Sequence, residues 1–156
     1  MEAKIVKAEH KHIPYIAENI READRQEIWD MALLKPTEGL RKSLDMSLLC
    51  WTGLVNDIPV CIFGVADTSR LFKGEVGRPW LIGTNDIDRC ATAFLRRNKK
   101  IVKQMLDCYD KLENYVEETN IRSIEWLTWL GFTFDEKPQP MGVFKKKFIR
   151  FWMVNE

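Results

Sequence analysis

The chain has little of the chemistry that marks a metal or redox protein. It carries two histidines, His10 and His12, too close in sequence to share a helical face and with no carboxylate-rich set beside them. So few histidines give no Ser/His/Asp or Cys/His constellation. The four cysteines, Cys50, Cys61, Cys90 and Cys108, contain no CxxC pair, which excludes the zinc-finger and thioredoxin readings. Each sits among apolar residues and reads as a free, mostly buried thiol in a reducing cytosol. An excess of one charge is also missing. Lys and Arg total 24 against 23 Asp and Glu, a formal net charge of +1. That balance does not advertise a nucleic-acid binder, and any positive field is local. No apolar run approaches the roughly 20 residues that span a membrane. The start, Met1-Glu2-Ala3-Lys4, lacks a signal peptide's apolar stretch, so nothing argues for export. Repeats, low-complexity tracts and Gly/Ser linkers are absent, so residues 1–156 read as one domain.

What is present is the composition of a globular core, 46% apolar and 30% charged. Residues 3–8 alternate as a short strand. His10 to Met31 place Ile13, Ile16, Ala17, Ile20 and Ala23 at helical spacing, with Glu18, Arg21, Glu22 and Arg25 opposite, which predicts one amphipathic helix with Pro14 in its first turn. A second helix follows Pro36 through Leu40, Leu44 and Leu48. Residues 50–55 and 59–68 read as strands joined by a tight Asn56-Asp57 turn, with Gly64 marking a bulge or close backbone approach. A loop over 69–79, a strand over 80–84 and a long helix over 91–109 come next, with helix-capping chemistry at Asn85 and Asp86. A strand over 112–116 leads to a helix over 120–130 capped by Gly131. Strands over 132–134 and 143–154 close the chain. The order β-α-α-β-β-β-α-β-α-β-β needs both hairpins and helical crossovers, which is an α/β (α+β) domain with a mixed sheet.

That order resembles the GNAT fold of the acyl-CoA N-acyltransferases. Asn120, Ser123 and then Leu130-Gly131-Phe132, directly after the strand over 112–116, resemble the GNAT signature. A second resemblance covers roughly residues 48–152. It rests on Trp80-Leu81-Ile82-Gly83-Thr84, the basic helix, and Asp110-Lys111-Leu112-Glu113-Asn114-Tyr115-Val116 with the signature after it. This is similar to a family of GNAT-like tailed-phage proteins, the internal virion proteins A of short-tailed coliphages. It implies a role in the host cytoplasm or the virion, through phage or host protein partners or self-association.

The GNAT resemblance implies acetyl-CoA or a longer acyl-CoA as donor, its pyrophosphate held on backbone N–H groups of a Gln/Arg-x-x-Gly-x-Gly/Ala turn before the long helix. No glycine lies between Gly83 and Gly131. The nearest register, Arg97-Asn98-Lys99-Lys100-Ile101-Val102, puts Lys100 and Val102 where glycines belong. The Tyr that many relatives use as proton donor falls on Leu127, and the strand over 80–84 has no carboxylate. The resemblance therefore points first to a scaffold that has lost its cofactor and chemistry, with no cofactor needed. The alternative is an active N-acyltransferase. Its pantetheine contacts would be Trp80, Leu81 and Ile82 with Asn120, its phosphate contacts Arg96, Arg97, Lys99 and Lys100, and its proton donor Tyr115. A nucleic-acid-associated protein using the basic helix is a minor alternative.

Each candidate also has a plain structural reading. Asp86 and Asp88 are a base or helix caps. Tyr115 is a donor or a half-buried strand aromatic, and folding could also bring Tyr15, Cys90 or Tyr109 near a thioester. The basic face with Lys103, and Lys145 to Lys147, touch phosphate or are solvated. Trp29, Trp51, Trp80 and Trp152 read as core. Trp126 and Trp129 are core or an exposed patch for a partner.

Overall fold

The first strand, β1 (Ala3–Lys7), pairs antiparallel with β2 (Ser47–Val55), so the intervening helices must cross one sheet face before the chain returns. The structure, a computed structural model, describes residues 2–72 and 74–156. Met1, in the expected leaderless start, and Lys73, in the expected loop over 69–79, lie outside the described residues. After a 3-10 turn over His10–His12 come α1 (Ile13–Glu18), α2 (Glu22–Ala32) and α3 (Pro36–Met46). Then follow β2, β3 (Ile58–Asp67), β4 (Val76–Gly83), α4 (Ile87–Cys108), β5 (Lys111–Glu117), α5 (Ile121–Leu130), β6 (Thr133–Phe134), β7 (Gln139–Met141) and β8 (Lys146–Val154). Among the described residues, eight strands form one mixed sheet in the order β1-β2-β3-β4-β5-β8-β6, with β7 also on β8. No described helix is long and apolar enough to cross a membrane.

Several expected boundaries move. The single helix over 10–31 is broken, because Ile20 bridges Thr84 and the Arg21 N–H donates to the Gly83 carbonyl at 2.9 Å. Tertiary hydrogen bonds to the end of β4 outweigh a helical periodicity that runs smoothly through the break. Arg21, expected on the solvent face, is only 7% exposed, whereas Trp29, expected in the core, is 42% exposed. Residues 47 and 48 belong to β2 rather than a helix, β4 begins at Val76, inside the expected loop, and α4 begins at Ile87 rather than 91. The last strand starts at Lys146, after the added β7 and a turn in which Gly142 and Lys145 have positive φ.

The hairpin turn does fall on Asn56 and Asp57, with φ of 50° and 66°, the left-handed pair that matches strand twist. Gly64 lies beside the irregularity at Ser47/Leu49, where a β-carbon would meet the Leu49 carbonyl at 2.5 Å. Two apolar layers cover the sheet. Phe63, Phe94, Ile101, Met105, Leu112, Val116 and Phe151 fill the layer under α4 and α5. Ile13, Ile16, Leu40, Ile62 and Ile82 fill the other, under α1 and α3.

The feature that positions the site is a gap. β4 and β5 run parallel but pair only at Val76–Lys111 and Gly77–Leu112, and then diverge. Gly83 turns its N–H to Asp24 and its carbonyl to Arg21, away from β3. Residues alternate along a ladder, so Leu81 and Pro79 also turn their backbone groups toward β5. Pro79 has no N–H to give there, which removes one rung. Asn114 Nδ2 reaches the Pro79 carbonyl at 2.8 Å in its place.

Candidate active site

The divergence of β4 and β5 opens a cavity of about 430 Å³ that passes through the sheet. Leu81, Asn114 and Tyr115 line its middle, Asp24, Glu27 and Met31 its α2 side, and Phe94, Asn98, Trp126 and Leu127 its helix side. Most of the wall is apolar, so the few polar groups carry its chemistry.

Helix α2 supplies its two carboxyls. Asp24 and Glu27 lie one turn apart and face the open end of the gap, one toward each strand. Asp24 Oδ2 accepts the Gly83 N–H at 2.8 Å, and Asp24 Oδ1 lies 3.5 Å from the buried Arg21 guanidinium. Glu27 Oε1 accepts the Glu117 N–H at 3.2 Å and Asn120 Nδ2 at 2.8 Å. Asn120 is the N-cap of α5, its Oδ1 accepting from the Ser123 N–H at 3.4 Å and lying 3.5 Å from Arg21 Nη2. The Arg21 guanidinium also stacks 5.0 Å from the Trp126 ring. The open end is thus held by side chains where the ladder has none.

Both carboxyls are raised. Burial pushes Asp24 up to about 6 against the opposing pull of Arg21 and the Gly83 N–H. Burial, helped by the Asp24 charge, pushes Glu27 up to about 7 although Asn120 and the Glu117 N–H favour its charged form. A carboxyl near 7 that lines a cavity can exchange a proton at neutral pH.

The expected residues separate into groups. Tyr115 lines the cavity. It lies opposite the core-facing Leu112 and Val116 on β5, hence on the α2 side. The Leu81 side chain packs in the layer under α4, while Ile82 and Trp80 join the other layer and Trp80 Nε1 donates to Ser47 Oγ at 2.7 Å. The basic residues stand apart. Arg96, Arg97, Lys99 and Lys100 occupy the third and fourth turns of α4, about 14 Å or more along its axis from Ile87. Arg97 donates to the Ala3 carbonyl at 2.7 Å, and Lys99 Nζ sits 4.2 Å from the centre of the half-exposed Trp129 ring. The strand-to-helix turn is Thr84-Asn85-Asp86, not the Arg97–Val102 stretch that supplied the glycine register.

That turn is filled by its own chain. Thr84 takes the Ile87 N–H on its carbonyl at 3.0 Å and the Asp86 N–H on its hydroxyl at 3.3 Å. The Asp86 carbonyl takes the Arg89 N–H at 3.1 Å. Asp86 and Asp88 add two carboxylates where a helix dipole would favour an anion, and they pair with Arg89 and Arg122. The residues present therefore fit the arm of an acyl-CoA, through the Leu81 edge and the cavity, and do not fit its pyrophosphate.

No sequence-family model matches the chain, and no curated protein matches it. Solved structures do. The acetyltransferase of the GNAT family from Streptococcus pneumoniae superposes with a TM-score of 0.68 at 13% identity, over 99% of this chain and 100% of that one. The fold is that of the GNAT acetyltransferases. A putative acetyltransferase from Salmonella typhimurium with its cofactor acetyl-CoA gives a TM-score of 0.70 at 15% identity, covering 99% and 94%. Spermidine N-acetyltransferase from Vibrio cholerae in complex with CoA and spermine gives 0.69 at 9% identity, covering 97% and 95%. Within this GNAT fold, sequence reasoning missed Asp24 and Glu27. Their spacing puts both on one helix face, but nothing separates them in sequence from the solvated Glu22 and Arg25 beside them.

Proposed function

We propose that the chain is an N-acyltransferase, taking its acyl group from a thioester lying between β4 and β5 and passing it to an amine that approaches from α2. The observation that carries this is Glu27, a carboxyl at about 7 on the cavity wall at the open end of the strand gap. Structures of the same fold that hold acetyl-CoA, or CoA with spermine, support the choice of donor and acceptor class. When bound, the thioester supplies an acyl carbon to which the amine nitrogen bonds as the carbon–sulfur bond breaks. Leu81 holds the donor's arm on its free N–H and carbonyl. Glu27 takes the proton that the amine nitrogen loses, and its hydrogen bonds from Glu117 and Asn120 fix the carboxyl while it does so. Tyr115, on the same side of the sheet, gives its hydroxyl proton to the departing sulfur. Asn120 acts through Glu27 rather than on the donor, and Arg96, Arg97, Lys99 and Lys100, placed far along α4 from its N-terminus, take no part in holding phosphates.

This reading differs from a scaffold emptied of its chemistry. The scaffold reading, with a phage or host protein as partner, draws on the N-terminus of α4, where the expected cap Asp86 pairs with Arg89 and makes no side-chain capping bond, and on the exposed apolar side chains of Leu71 and Phe72. Thermal unfolding separates the two. Acetyl-CoA and S-acetylpantetheine, each near 100 times its Kd, should both stabilise the chain by about 2.7 kcal/mol, a shift of several degrees. Their dissociation constants should agree within about threefold, because the pyrophosphate meets no cradle. No shift with either overturns the acyltransferase reading. A far tighter Kd for acetyl-CoA overturns the account of the α4 turn.

A further inference from the structure

Asn98 is the polar residue in the cavity that nothing in the fold explains. It sits mid-way along α4 on the face turned to the sheet, between Phe94 and Leu95 a turn earlier and Ile101 and Val102 a turn later. All of these line the cavity. Asn98 is only 8% exposed, and its Oδ1 is buried without a hydrogen-bond partner. The other two buried or half-buried asparagines of the site are satisfied. Asn114 donates to Pro79 and accepts the Tyr115 N–H at 2.8 Å, while Asn120 caps α5 and donates to Glu27. A leucine in place of Asn98 would match the surrounding apolar wall and leave no acceptor stranded, so the asparagine weakens the ligand-free protein.

We infer that Asn98 is a ligand-binding residue, its Oδ1 accepting an amide N–H of the donor's arm inside the cavity. The inference rests on the acyl-thioester reading of the strand gap and goes beyond it in naming a contact on α4. A pantetheine arm carries two secondary amides. The open edge of β4 offers a donor and an acceptor at Leu81, which serve one of them. The second amide enters a wall of Phe94, Leu95, Ile101 and Val102, where Asn98 Oδ1 is the acceptor without a donor. A hydrogen bond made there satisfies two groups that are otherwise buried alone, so its loss registers in affinity rather than in folding.

The test compares the full chain with Asn98→Leu against two probes, pantetheine and the amide-free S-butyl thioacetate, by calorimetry, with thermal unfolding of the ligand-free proteins. Asn98→Leu should raise the ligand-free Tm by about 3 °C or more. It should weaken pantetheine about five- to tenfold and leave S-butyl thioacetate unchanged or tighter. Asn98→Ser, smaller and still polar, gives the same comparison should the leucine variant fail to fold. Equal pantetheine affinity in wild type and variant overturns the inference alone, as does an equal loss for both probes. Failure of wild type to bind either probe overturns the reading of the gap and this inference with it.

Discussion

Replacing Glu27 by glutamine tests the site without dismantling it. The glutamine side chain keeps an oxygen to accept from the Glu117 N–H and Asn120 Nδ2 and loses only the charge. The carboxyl moves from an ordinary 4.5 to about 7 in the fold, chiefly through burial. The folded protein therefore holds this proton more tightly than the unfolded chain. Below pH 4.5 both states carry it and the group makes no difference. Between pH 4.5 and 7 the unfolded chain has lost the proton and the folded one has kept it, so stability falls as pH rises, by up to about 1.4 kcal/mol per pH unit. Above pH 7 the loss is complete, about 3 kcal/mol in all. Glu27→Gln should thus match wild type at pH 4.5 and exceed it at pH 8 by as much as about 3 kcal/mol, or about 6–12 °C in Tm. Urea unfolding at pH 4.5, 5.5, 6.5 and 8 reads this directly. If Glu27 is the base, the same variant should lose roughly 10²–10⁴ in turnover. A constant stability difference across the series, or a variant less stable than wild type at pH 8, refutes the buried-carboxyl account. A variant with full turnover refutes the role as base.

Two further substitutions address what holds the gap open. Arg21→Met removes the cation facing the buried Asp24, so the protein should lose about 3 kcal/mol at pH 8 and less at pH 5, where Asp24 can take a proton; a loss equal at both pH values argues against the pairing. Gly77→Ala places a β-carbon 2.6 Å from Tyr109 Cδ2 and 2.8 Å from Val65 Cγ2, where the last β4–β5 rung forms. Its expected cost is about 2 kcal/mol in urea unfolding, and a neutral result would mean the ring can move aside.

The parts of the fold set by neighbouring residues are legible in the sequence. The Asn56-Asp57 hairpin, the left-handed Gly131 cap at φ 102° and the amphipathic α4 follow from turn chemistry and periodicity. Signals that act over distance are not legible. The break between α1 and α2 comes from hydrogen bonds to Gly83 and Thr84, some sixty residues away in sequence. Leu127, expected at the donor position, has no hydroxyl to offer, and the carboxyls of the site come instead from α2. There, Asp24 and Glu27 look like any surface carboxylates until Gly83, Glu117 and Asn120 close around them. Asn98 reads as one polar residue in a basic stretch, and only the packing of α4 shows that it faces inward.

Two side-by-side strands that pair for only two residues divide the sheet into leaves, β1 to β4 on one side and β5 to β8 on the other. Each leaf is complete in its own ladders, and the gap arises only when both meet. A donor arm with alternating amide N–H and carbonyl groups lying along Leu81 would work there as an inserted strand. Its presence would make the two leaves one continuous sheet, so the substrate would itself supply part of the protein's secondary structure for as long as it stays.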